Sequence, residues 1–344
     1  MKILHIIPAE TTYMYSFLKM MSWQRDWQDE HIYYAMLSKP QAIKSFPKLL
    51  AMKELIYLEN TTGVDKKFKE ALKQADKIIW HSLVKICQKY KRFLSKHPSI
   101  MEKSYWCMGG PEIEYLQKEE LNIADSYDYW LELFLKKLTI ISPIELYNEL
   151  IQKYAEKVIP GEYPYPYRYN RQVESVLIDQ LGKEKAVHET KIAQIGLSGH
   201  IVNEHDKILK RFESEFRFED KSYCIPIKYA DYVVGNSIEK ESIGRIFDFL
   251  RERNCRVVLM NTWVSSYDYL RYLHSISEVH VAGIPASAIS SLIYLGYLNK
   301  NVYYYGNNPK LKELNFHTWA RKELDIEYDI TQWKKLFKAM RDEK

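Results

Sequence analysis

The chain has 344 residues, 46% of them hydrophobic and 28% charged, with only 12 glycines and 12 prolines. That balance excludes a disordered, collagen-like or low-complexity chain, and the length favours two domains of about 100–200 residues each. Fifty basic against 45 acidic side chains leave a formal charge of +5, a mild excess that permits contact with phosphate or an anionic membrane surface without demanding nucleic acid.

The predicted elements begin at once. Lys2–Ile7 is a short apolar run that reads as a first strand; with one basic residue and so short an apolar stretch it does not read as a signal peptide. Phe68, Ala71, Leu72 and Ala75 share one helical face, and Lys77–Trp80 follows as a buried strand. Leu83, Ile86, Cys87, Tyr90 and Leu94 mark the next helix, and Ser104–Met108 the next strand, closed by Gly109-Gly110-Pro111. Such alternation predicts parallel sheet with helices on both faces. Residues 160–170 then hold three prolines and four tyrosines, a pattern that neither a helix nor a central strand tolerates. The boundary is placed there, giving domains 1–165 and 166–344.

The same grammar restarts beyond it. Strands are predicted at Lys191–Gly196, Tyr223–Ile227, Cys255–Met260, Glu278–Ala282 and Asn301–Tyr305. Helices are predicted at Asn203–Phe212, around Ile243–Leu250, at Ser266–Leu273, Ser287–Leu298 and 331–342. No run of about 18 apolar residues predicts a spanning helix. The four cysteines (Cys87, Cys107, Cys224, Cys255) form no CxxC pair, which argues against structural zinc and fits a reducing cytoplasm. Two α/β domains facing each other would bind a ligand beyond their strand ends. Sugar-nucleotide transferases, periplasmic binding proteins and some dehydrogenases share that plan, so the fold alone decides nothing.

The most informative stretch is Gly196-Leu197-Ser198-Gly199-His200-Ile201-Val202-Asn203-Glu204-His205, between a predicted strand and a predicted helix. A Gly/Ser turn there turns backbone N–H groups and a helix N-terminus toward an anion such as a diphosphate. The simpler alternative is a strand–helix turn with Asn203 as the helix cap. The spacing is not GxGxxG, which disfavours a nicotinamide enzyme. Ser287, Ser290 and Ser291 open a further helix, as caps or phosphate contacts, and Gly235-Asn236-Ser237 is a third such turn. In the first half, His81 ends one strand and Glu112 follows the next. Glu112 is the candidate base for an attacking acceptor hydroxyl, with Glu114 behind it; equally, it serves as a helix cap. His5 lies near the same edge, as a structural hydrogen-bonding group. Helix 83–96 carries Lys85, Lys89, Lys91, Arg92 and Lys96 with no acid between them, a face suited to an anionic leaflet or simply to water. The 28 tyrosines and 8 tryptophans suit sugar stacking, although most will pack. No Asp-x-Asp pair ends a strand, so no metal is expected.

The ordered set resembles a known family, the bacterial 4-acetamido-4,6-dideoxygalactose transferases of glycosyltransferase family 56. Gly196, Ser198, Gly199, Asn203 and His205 match its Gly-x-Ser-Gly-x-x-x-Asn-x-His element. Trp80-His81, the region of Trp106, Gly110, Glu112 and Tyr115, the helix with Asp268, Tyr269 and Leu270, then Ile293, Gly296 and Asn308-Pro309 follow in the family's order over roughly residues 75–310. The resemblance implies a GT-B α/β fold, with a nucleotide-sugar donor held mainly by the C-terminal domain. It implies a lipid-linked or growing-glycan acceptor at the N-terminal domain, no metal, and peripheral attachment at the inner face of the cytoplasmic membrane. The family's Arg-Gln-Gln-Gly-x-Gly-Thr-like run is replaced by Ala282–Ala288, so the reaction class carries over and the particular sugar does not.

The expected protein is thus a cytoplasmic, metal-independent glycosyltransferase of bacterial surface polysaccharide assembly. Donor phosphates would rest on Gly196–Gly199 and the helix start at Ser287, oriented by Asn203, His205 and Asn236. Glu112 or His81 would activate the acceptor if the reaction inverts. The rivals are a same-fold transferase of a CMP-linked acidic sugar and a non-catalytic nucleotide- or sugar-binding protein. Nucleic acid ranks last, since no aromatic–basic sheet motif is present.

Overall fold

The computed structural model describes residues 1–8, 14–24, 26–45, 54–59, 65–108, 135–142, 148–159, 191–197, 203–215, 221–227, 237–261, 266–283, 289–307 and 326–343, and residues 50, 52, 112, 312 and 315 singly. The chain divides into two compact units. In the first, the strands are β1 (Lys2–Ile7), β2 (Glu30–Ser38), β3 (Leu55–Leu58), β4 (Lys77–Trp80), β5 (Ser104–Cys107), β6 (Thr139–Ile141) and β7 (Lys157–Ile159). They form one sheet in the order β3-β2-β1-β4-β5-β6-β7, and every neighbouring pair is parallel. A parallel sheet covered on both faces needs strands apolar on both sides. β1 meets that need: from Ile3 to Ile7 every residue is buried.

The helices of this unit are α1 (Met14–Trp23), α2 (Lys39–Ser45), α3 (Lys66–Gln74), α4 (Val84–Ser95), α5 (Pro98–Glu102) and α6 (Asn148–Gln152). Helix α3 starts where Asp65 accepts a hydrogen bond from the Phe68 N–H at 2.8 Å, and it buries Phe68 and Leu72. In α1, Phe17, Leu18 and Met21 pack on Ile3, Ile7 and Tyr33 in a core cluster of the opposite face.

The final helix, α11 (Ile326–Asp342), belongs to this first unit rather than to the second, where the sequence reading placed it. Trp333, Leu336, Phe337 and Met340 form a stripe at helical spacing that enters the same core cluster as α1. Lys334 pairs with Asp26, Arg341 with Asp29, and Lys77 with Glu343. An amphipathic stripe encodes burial but not the partner, so the sequence left the docking side open.

The second unit holds β8 (Ile192–Ile195), β9 (Ser222–Pro226), β10 (Arg256–Met260), β11 (Glu278–Val281) and β12 (Asn301–Tyr304), parallel throughout in the order β10-β9-β8-β11-β12. Its helices are α7 (His205–Glu215), α8 (Ser237–Glu252), α9 (Ser266–Ser275) and α10 (Ile289–Tyr297). Ile208, Leu209 and Phe212 of α7 and Ile243, Ile246 and Leu250 of α8 cover one face, over Ala193, Ile195, Tyr223 and Ile225. The chain passes from the first unit to the second between β7 and β8 and returns at Ile326. The expected boundary at 165/166 lies outside the described residues.

Candidate functional site

An open α/β sheet binds ligands beyond the carboxyl ends of its strands, where the strand order reverses. In the second unit that point lies between β8 and β11. The chain leaves β8 at Gly196, whose φ of 71° lies in the left-handed region. A Cβ on Gly196 would stand 2.3 Å from His205 Nε2, so only glycine fits. The Gly196 N–H donates to the His280 carbonyl at 2.8 Å, and the Gly196 carbonyl accepts from Gln194 Nε2 at 2.8 Å.

Asn203 pins the far side of the turn. Its Oδ1 accepts from the Leu197 N–H at 3.0 Å, and its backbone carbonyl accepts from the Gly283 N–H at 3.1 Å. One asparagine therefore joins the turn after β8 to the end of β11. Asn203 and His205 are both buried, so they shape this turn from beneath. Glu204 between them adopts a φ of 50°, a second left-handed residue, before α7 begins. The described ends of the turn, at 196–197 and 203–204, are held by hydrogen bonds and lead into an eleven-residue helix, whose N-terminal dipole favours an anion.

Ser291 is buried in α10, with its Oγ 3.1 Å from the Tyr269 hydroxyl. Ser290 lies in the first turn of α10. Ser198, Gly199, Asn236 and Ser287 lie outside the described residues. Among those described, no three His, Cys, Asp or Glu side chains come together to hold a metal ion.

In the first unit the corresponding point lies between β1 and β4. His81 follows β4 and is fully buried, its ring 4.6 Å from that of Phe17 and 6.4 Å from that of Trp333. Its Nε2 is 3.1 Å from His5 Nδ1, and His5 Nε2 is 2.9 Å from His31 Nδ1. The three rings form one hydrogen-bonded chain across β4, β1 and β2. Burial holds His81 down at about 3 and His5 well below its ordinary range, where His31 and His81 act in the same sense. Burial brings His31 down to about 4, against the pull of Asp29 and with the push of the Met1 amino group. Three neutral imidazoles carry three N–H groups, and two serve the internal bonds. The third falls on His81 Nδ1 or His31 Nε2, both buried and without partners among the described residues.

Glu112 is buried and spends both carboxylate oxygens. Oε1 accepts from Ser82 Oγ and from the Leu83 N–H, each at 2.8 Å; Oε2 accepts from Trp106 Nε1 at 2.9 Å. Leu83 is the N-cap of α4 and offers no side-chain cap of its own. Glu112 thus caps α4, a helix that precedes it in the chain, and ties the turn after β4 to β5. In this arrangement neither Glu112 nor His81 presents a free acceptor atom to solvent. The described part of α4 is amphipathic, with Tyr90 and Leu94 buried and Lys91, Arg92 and Lys96 exposed.

Sequence reasoning singled out Gly196, Asn203 and His205 but missed Gln194 and the histidine chain as a unit. Gln194 had a signal, a long polar side chain inside an apolar strand. The histidine chain had none, because residues 5, 31 and 81 meet only through the strand order β2-β1-β4.

No family model matches the chain, and no curated protein matches its sequence. Solved structures do. The Anabaena protein Alr3699/HepE, in complex with UDP-glucose, superposes with a TM-score of 0.54 at 8% identity, covering 98% of this chain and 100% of that one. The N-terminal domain of Candida albicans trehalose-6-phosphate phosphatase gives a TM-score of 0.51 at 10% identity, covering 99% and 95%. At such identities the likeness concerns the fold. The fold expected from the sequence, a GT-B type of α/β architecture with two parallel-sheet units, is the fold of this chain.

Proposed function

We propose that the chain is a glycosyltransferase that moves a sugar from a nucleotide-sugar donor to a lipid-linked or growing bacterial surface glycan, as the resemblance to family 56 implies. The observation that carries this reading is the turn at Gly196. It sits at the strand-order reversal of the second sheet, its left-handed φ and the ring of His205 together exclude a Cβ, and Asn203 locks it to the end of β11. A diphosphate is the anion that such a turn and the N-terminus of α7 best accommodate. The similar Anabaena fold was solved with UDP-glucose, which accords with a nucleotide sugar here.

Donor contacts fall to the backbone of residues 196–199 and to the starts of α7 and α10, with Ser198, Asn236, Ser287 and Ser290 as side-chain contacts. Helix N-termini take up the charge of the leaving diphosphate, so the reaction proceeds without a metal. The first unit receives the acceptor, and the exposed Lys91, Arg92 and Lys96 of α4 face an anionic leaflet when the protein works at a membrane. Among the described residues no helix is long and apolar enough to cross one.

The test is thermal stabilisation by TDP, UDP, GDP, CMP and NAD in turn, since a ligand of the native state raises its melting temperature. A shift with TDP or UDP is the expected result. A shift with CMP alone replaces the donor by a CMP-linked acidic sugar. Binding of an intact nucleotide sugar without any release of nucleotide in the presence of acceptor glycans turns the chain into a binding protein. No shift with any of the five removes the donor-site reading.

A further inference from the structure

We propose that the edge strand β10 is a dimerisation surface: two copies of this chain pair their β10 strands antiparallel, about a two-fold axis at Val258, and so join their second-unit sheets into one. The inference is independent of the nucleotide reading of the Gly196 turn.

β10 (Arg256–Met260) ends the second sheet, with β9 on one side of it. The Met260 carbonyl accepts from the Ile227 N–H at 2.9 Å, so it points toward β9. Alternate residues of a strand turn their N–H and C=O groups to the same side. Arg256, Val258 and Met260 therefore serve β9. Val257 and Leu259 turn theirs to the open edge, where they have no partner among the described residues. Both faces of this edge are open as well. Val258 is 49% exposed and Leu259, on the opposite face, 42% exposed. Val257 packs on the core cluster under α7 and α8, whereas Leu259 on the same face lies beyond it.

Natural sheets blunt such edges with lysine, proline, a bulge or a covering element. β3 has a register irregularity against β2, and β7 opens with Lys157. In β10, Val-Val-Leu-Met follows Arg256 with no further charge, no proline and an unbroken register on β9. The strand is also complementary to itself. An axis at Val258 sets Val257 opposite Leu259 of the second copy, and the reverse. Each such pair exchanges N–H···O bonds in both directions, so every open backbone group of β10 gains a partner from β10. Val258 meets its own counterpart in the non-bonded pair, where side chains come closest and β-branched residues pack well. Arg256 falls opposite Met260. The two arginines then stand about 13 Å apart along the strands, beyond the screening length of about 8 Å. An axis at Val257 would bring them to about 7 Å and leave Leu259 facing Cys255. Antiparallel pairing points the strand ends of the two copies in opposite directions, and β8 with its Gly196 turn lies two strands in from the seam.

The experiment is sedimentation equilibrium of the full chain. Interfaces of this small size are weak, so twice the mass of one chain is expected at about 100 μM. Val258→Lys and Val258→Glu each set like charges against each other across the axis, and each is expected to be a monomer. Their equimolar mixture is expected to dimerise again, because strands that meet at residue 258 put opposite charges face to face. Val258 is half exposed, so both variants are expected to melt as wild type does. Tyr303→Lys, 43% exposed on the opposite edge strand β12, is expected to dimerise like wild type. A wild-type chain that stays monomeric overturns the proposal, as does either Val258 variant that still dimerises alone. A mixture that remains monomeric overturns it too, and a dimer lost in Tyr303→Lys moves the contact away from β10.

Discussion

Acid should weaken the first unit well above the range where carboxylates titrate. His5, His31 and His81 are held neutral by burial, with His31 at about 4 and His81 at about 3 against an ordinary value of 6.5. Between those values the unfolded chain binds protons that the native chain does not, so stability rises with pH and falls on acidification. With an unfolded value near 6.5, each of His31 and His81 withdraws about 2 kcal/mol between pH 8 and pH 5, and His5 acts in the same sense. About 4 kcal/mol is a large part of the roughly 5–15 kcal/mol that stabilises a domain. The groups facing the chain do not reverse the sign. Asp29 favours the His31 cation, but burial outweighs it, and Asp29 is also engaged by Met1 and Arg341. Glu343, elsewhere in the same unit, has a lowered value, so its stabilisation is present above about 4.5 and fades only below it. Denaturant unfolding from pH 8 to pH 5, followed by the fluorescence of the buried Trp80, Trp106 and Trp333, reads the effect. His31→Gln should flatten the dependence by one proton. A first unit equally stable at pH 7 and pH 5 would refute the reasoning, because neutral buried imidazoles cannot give that result.

Three substitutions test other parts of the construction. Glu112→Gln puts an amide where one oxygen accepts from Trp106 or from Ser82 and Leu83, so one buried donor loses its partner. A loss of about 1–3 kcal/mol is expected in a denaturant titration, with turnover per folded molecule kept; lost turnover at unchanged stability would make Glu112 the base instead. Gly196→Ala drives a methyl into His205 at a left-handed φ, and is expected to abolish nucleotide stabilisation while costing more than the usual 1–2 kcal/mol of a left-handed alanine. Trp333→Ala empties a buried site between α11 and α1 and should cost about 3–5 kcal/mol in the first unit, leaving nucleotide affinity of the second as it was.

The buried strands were legible because a parallel sheet demands unbroken apolar runs. Lys2–Ile7 and Lys77–Trp80 coincide with β1 and β4, and the five strands of the second unit fall within a residue of their expected ends. β2 was not read, since Glu30 and His31 open it and no helical or turn signal frames it. β6 and β7 have three residues each, too few to carry a period. The Gly196 turn was visible as a glycine–serine break between strand and helix. What the sequence did not contain was the direction of each polar bond. Asn203 reads as a helix cap, and in the structure its oxygen accepts from the Leu197 N–H across the turn. Glu112 reads as a group at the following helix, yet it caps α4. Such choices depend on which loop ends lie side by side, and that is set by strand order rather than by local spacing.

The two strand-order reversals differ in a way that bears on the proposed donor site. In the second unit the ends of β8 and β11 are joined through Gly196, Gly283 and Asn203, next to the N-terminus of α7. In the first, the end of β4 meets His81, a neutral imidazole packed under the rings of Phe17 and Trp333, a largely apolar filling that disfavours a phosphate. A charged diphosphate is therefore expected on the second unit. Amide hydrogen exchange with and without UDP reads the difference directly. Protection should rise over residues 192–207 and 280–292, because ordering of a ligand slows the openings that expose these amides. Residues 2–8 and 78–83 should exchange as before. Protection confined to the first unit would invert the assignment, and the Gly196 turn would then be a structural corner of the sheet.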